Sequence, residues 1–66
     1  MANRMAREEA RKNMEKHIKT IYPNAVISTW FEFACEILFY PTPEADLPYS
    51  CHLNRLNGNY IISTDF

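Results

Sequence analysis

The chain has a single glycine, Gly58, and an asparagine precedes it. Asn57-Gly58 between two alternating runs is the strongest short-range hairpin signal. A tight two-residue turn needs positive φ at both central positions, and these residue types tolerate it. If the two residues alone form the loop, Tyr49 faces Phe66, Cys51 faces Thr64, Leu53 faces Ile62 and Arg55 faces Tyr60. The other side then pairs Ser50 with Asp65, His52 with Ser63, Asn54 with Ile61 and Leu56 with Asn59. One side is apolar and the other polar, so turn chemistry and residue pattern agree on a C-terminal hairpin.

An isolated hairpin is marginal in water, and residues 25–40 offer it a partner. Ile27, Thr29, Phe31, Phe33, Cys35, Ile37 and Phe39 occupy alternate positions, and the residues between them are mixed. That alternation predicts a central strand with its odd positions inward. Sixteen residues at about 3.3 Å each would span about 53 Å, too far for a domain of this size, so a bend or break is expected around Glu32 to Glu36. A rival helical reading has Thr29 and Glu32 as a capping box, Glu32 and Glu36 one turn apart, and Pro41 as the stop. The crowding of β-branched and aromatic residues favours the strand.

Residues 2–22 contain neither proline nor glycine, are rich in helix formers, and run into Pro23, which predicts one helix. Ala6, Ala10, Met14, His17, Ile18 and Ile21 share one sector of the wheel and should lie on the sheet. Glu8 with Lys12 and Glu15 with Lys19 are i,i+4 pairs worth about 0.3 to 0.5 kcal/mol each. Residues 41–48, with three prolines and two acids, read as a loop of restricted conformation.

The expected fold class is therefore α+β, with an N-terminal helix on one face of a three-stranded antiparallel sheet (α-β-β-β). All 66 residues form one small domain. A chain this short buries only about 60% of its unfolded surface, so nine aromatic residues should carry the core, with a homodimer as further help. Residues 1–20 hold six cations against three glutamates, and the remainder holds one arginine against five acids. The molecule is a basic element on an acidic body, which bears on partners more than on fold.

Reactive chemistry is poorly supplied. Cys35, Cys51, His17 and His52 are the only soft ligands. Cys51 and His52 are neighbours on a strand and point to opposite faces, so no metal is expected. Gly58 cannot by itself build a glycine-rich cradle for a phosphate or an oxyanion, so no cofactor and no enzyme is expected. Glu32 and Glu36 would stand about 13 Å apart on a strand, too far to act on one bond. Two cysteines, both on inward positions, and a charged N-terminus without an apolar leader point to a reducing cytoplasm. No stretch is long and apolar enough to span a bilayer.

What remains is surface. The outer sheet face is expected to show Trp30, Glu32, Glu36 and Ile61 beside His52 and Asn54. Tyr40, with Glu44 and Asp46 from the proline-rich loop, extends it toward a protein partner. Arg4, Arg7, Arg11, Lys12, Lys16 and Lys19 form the alternative surface, one that would meet nucleic-acid phosphates without reading sequence. A self-assembling structural subunit is the third reading. In size and character the chain resembles the small inhibitors encoded by phages and mobile elements, anti-CRISPR proteins among them. That resemblance implies a non-enzymatic module that blocks a surface of a larger host protein.

Overall fold

The computed structural model describes residues 2–54 and 56–64, with side chains from Glu8 onward. One helix, α1 (Ala2–Ile21), is followed by β1 (Val26–Phe31), β2 (Glu36–Tyr40), β3 (Tyr49–Asn54) and β4 (Asn59–Ser63). The strands form one antiparallel sheet in the order β1-β2-β3-β4, and α1 packs on β2 and β3. The α+β class with its helix on a sheet is as expected. The sheet has four strands because residues 25–40 break in the anticipated place: residues 32–35 turn, and each half becomes a strand. The helical reading of this segment is excluded.

The helix ends where proline requires it. The Tyr22 N–H donates to the Ile18 carbonyl at 2.7 Å, and the Ala25 N–H donates back to the Tyr22 carbonyl at 3.0 Å across Pro23 and Asn24. Met14 and Ile18, one turn apart, are fully buried against Ile37, Phe39 and Cys51. Ala10 and His17 flank them half-buried, whereas Ile21, expected on the same face and the last residue of the helix, is 49% exposed. Ala6 lies outside the described side chains. Of the expected helix pairs, Glu15 is instead bonded from the other side, by Arg11 Nε at 3.0 Å.

Tyr22, Phe39 and Tyr49 stack under the helix C-terminus with ring centroids 5.7 to 5.9 Å apart, and His17 lies 5.2 Å from the Tyr60 ring. The expectation that the aromatic residues carry the core holds only in part. Among the described residues Phe39 is the one aromatic that is fully buried, Tyr22, Trp30, Tyr49 and Tyr60 pack partly buried around a centre of Met14, Ile18, Ile37 and Cys51, and Phe31 and Phe33 are exposed. A 20-residue helix is about 30 Å long, whereas strands of this size reach about 17 to 20 Å. The fold is correspondingly elongated, 38 × 20 × 19 Å.

The C-terminal hairpin forms with its register slipped by two. Cys51 faces Ile62, His52 faces Ile61, Leu53 faces Tyr60 and Asn54 faces Asn59, so the loop holds four residues instead of two. The Gly58 N–H donates to the Asn54 carbonyl at 2.7 Å, and Gly58 has φ 73°. A slip of two keeps every side chain on its face. Its gain is that Cys51 and Leu53 meet Ile62 and Tyr60 beneath the helix. Ser50 and Tyr60, expected opposite Asp65 and Arg55, pair instead with Ser63 and Leu53, and the expected pair of Tyr49 with Phe66 involves a residue outside those described.

Candidate docking face

The sheet has two unlike sides. The inner side, under the helix, carries Ile27, Phe39 and Tyr49 in one row and Trp30, Ile37, Cys51 and Ile62 in the next. The outer side carries Phe31, Glu36, His52 and Ile61 in one row and Thr29, Leu38, Ser50 and Ser63 in another, with Val26 beside Tyr40 at the far end. The one described helix packs on the other side, and no further helix or strand is described over this one. Val26, Phe31 and Ile61 are 44%, 43% and 39% exposed there.

A bulge decides which residues the face holds. Ile27 pairs with Phe39 but Thr29 pairs with Leu38, so the register breaks at Ser28. One extra residue reverses the facing of everything after it. Trp30 therefore sits opposite Ile37 and packs against the core, and Phe31 takes the outer side. This corrects the expectation that Trp30 and the glutamates look outward together, and the expectation that Phe31 is inward. Phe33, also expected inward, is 84% exposed in the β1–β2 loop. A signal was present: Ile27 and Trp30 are separated by two consecutive polar residues, a spacing of three that strict alternation cannot place on one face.

Of the residues expected at the protein-binding surface, Glu36, Tyr40 and Ile61 share the outer face. Glu32 is exposed in the β1–β2 loop, while Glu44 and Asp46 are exposed in the loop that leaves the other end of β2. The acids therefore do not form one patch; a whole strand, about 17 Å, lies between the two pairs. Val26, Phe31 and Leu38 are the members that alternation did not single out.

The face is mixed, with Val26, Phe31, Leu38, Tyr40 and Ile61 set among Thr29, Glu36, Ser50, His52 and Ser63. Glu36 and His52 are cross-strand neighbours and both are half-buried. Ser50, between Leu38 and Ser63, is only 4% exposed. The two thiols lie elsewhere: Cys51 is buried on the inner side, where desolvation pushes its pKa up to about 11, and Cys35 is buried in the β1–β2 turn. Both are free, and among the described residues no three of His, Cys, Asp and Glu come together as a metal site.

The basic helix lies on the opposite side of the molecule. Arg11, Lys12, Lys16 and Lys19 are exposed, and on the wheel Lys12, Lys16 and Lys19 point away from Met14 and Ile18. Glu8 and Glu15 join Arg11 and Lys12 around the one hollow described on this surface, two acids against two cations. Arg4 and Arg7 lie outside the described side chains. No described helix is long and apolar enough to cross a membrane. Comparisons with protein-family models, with characterised proteins and with solved structures found no match.

Proposed function

We propose that this chain is a non-enzymatic binding protein that acts by covering a surface of a larger protein with its outer sheet face. The observation that carries the reading is the asymmetry of the sheet. One side is closed by α1, while the other presents Val26, Phe31, Leu38, Tyr40 and Ile61 with no further helix or strand described over them. Apolar side chains gathered on one face of a small domain mark an interaction site, and aromatic anchors are the usual centre of such sites. Glu36 and His52 within the face would supply direction and register. A larger host protein in the cytoplasm, where two free thiols persist, is the partner this reading implies. Inhibitors of phage and mobile-element type are the class it resembles.

The second reading, a nucleic-acid regulator, rests on the outward lysines of α1. It is weakened by the acids interleaved with them, because phosphate contacts need net positive charge at the surface.

Both readings are tested by one capture experiment on host lysate and on labelled DNA and RNA. Phe31→Lys and Val26→Lys should each abolish retention of the captured protein while the far-UV spectrum stays unchanged. Lys12→Glu with Lys16→Glu should leave that retention intact. Capture that survives both outer-face variants overturns the first reading. Retention of nucleic acid that fades with salt and disappears in the lysine variant would establish the second.

A further inference from the structure

The two edges of the sheet are built differently. β1 is interrupted by the bulge at Ser28, which twists an edge and spoils its ladder. β4 has no such defence. Its register with β3 is regular from Asn59 to Ser63, and residues 56–64 contain no charge and no proline. Natural edges are usually blunted by charge, proline, a bulge or a covering element. Among the described residues the free edge of β4 carries none of these and pairs with no other strand, and such an edge is a template for another strand.

The residue order in β4 says which strand fits. We propose that β4 pairs antiparallel with β4 of a second copy, with Ile61 on the two-fold axis. In that register Ile61 meets Ile61, Tyr60 meets Ile62, and Asn59 meets Ser63, so all five residues pair like with like. On the helix side, an aromatic lies against a β-branched residue, a favourable cross-strand pair. On the outer side, two isoleucines meet at the centre and polar pairs flank them. An isologous contact requires such self-complementarity.

The rest of the fold permits the contact. α1 sits over β2 and β3, so the two helices of an eight-stranded sheet would lie about four strand spacings apart, about 19 Å. That is twice the distance of close helix packing, so they do not clash. It also exceeds the Debye length of about 8 Å at physiological salt, so their positive charges are screened from one another. Tyr60 and Ile62, half-buried in the single chain, would gain cover between the helices, and the two outer faces would join into one.

Sedimentation equilibrium over a wide concentration range tests this. The mass should rise from 7.8 kDa toward twice that value. Ile61→Lys sets two like charges face to face at the axis and should raise the dissociation constant at least about tenfold. Phe31→Lys, on the outer face but far from β4, should change it less than about twofold. Independently of how Ile61→Lys folds, Ile61→Cys should form an intermolecular disulfide under mild oxidation, because directly opposed residues bring their Cβ atoms within reach. Val26→Cys should not. A monomer at every concentration overturns the proposal, as does a dimer that Phe31→Lys dissociates or one in which Ile61→Cys fails to cross-link.

Discussion

The connection between Phe31 and Glu36 and the one between Asn54 and Asn59 each hold four residues, and each ends on a residue with positive φ, 51° at Cys35 and 73° at Gly58. The similar backbone solution is held in two ways. The C-terminal loop is secured locally: the Asn54 Oδ1 accepts from the Leu56 N–H at 2.9 Å, the Asn57 Oδ1 accepts from the Asn59 N–H at 3.0 Å, and glycine removes the steric cost of the left-handed residue. The N-terminal loop has the Cys35 N–H to the Glu32 carbonyl at a long 3.4 Å and a side chain where glycine would be easier. One turn places a glycine at its left-handed position, and the other a buried cysteine.

That contrast can be broken most severely at Trp30. Removing its ring by Trp30→Ala should cost about 2 to 3 kcal/mol, less than a fully buried tryptophan because it is only half-covered. Leu56→Ala, at a side chain 97% exposed in the other loop, should stay within about 0.5 kcal/mol. Urea unfolding of the pair measures the difference, and equal losses would mean that the bulge does not place Trp30 inward.

Gly58→Ala comes next. A Cβ there meets nothing within 4 Å, so the whole cost is the left-handed backbone, about 1 to 2 kcal/mol. Cys35→Gly sharpens the comparison from the other side. Relief of the same backbone cost is offset by the lost buried thiol and by a looser unfolded chain, leaving a net change within about 0.5 kcal/mol. If Cys35→Gly instead matched the Gly58→Ala loss in the destabilising direction, burial of the thiol would be the larger force in that turn.

The smallest effect near neutral pH is at Cys51. Its thiol is held neutral, with a pKa raised from 9.0 to about 11 by burial. Between those values the unfolded chain gives up the proton while the folded one keeps it, so stability contributed by this group is complete below pH 9 and is lost as pH rises toward 11. Melting temperature followed from pH 8 to 11 should fall, and Cys51→Ala should flatten the fall. Cys51 should also resist thiol reagents in the native state and react on denaturation.

These two turns show why parts of the fold were legible in advance. The helix, the position of the break in residues 25–40 and the two faces of the C-terminal hairpin follow from periodicity and punctuation, which are local. The outer-face placement of Glu36, Tyr40 and Ile61 follows from the same alternation. The slip of the hairpin by two residues was not legible, because both registers satisfy the same faces. Only the match of Cys51 and Leu53 to Ile62 and Tyr60 under α1 separates them. Nor was the inward turn of Trp30, although Ser28 and Thr29 left a trace of it.

The amino-acid order by itself therefore determined which elements form and which side of each is apolar, since a helix repeats at 3.6 residues and a strand at two whatever lies beyond it. The tertiary structure alone decided the register, the bulge and the left-handed cysteine. The register and the bulge each trade a local preference against burial of side chains far away in the chain, and that balance exists only once helix and sheet are in contact.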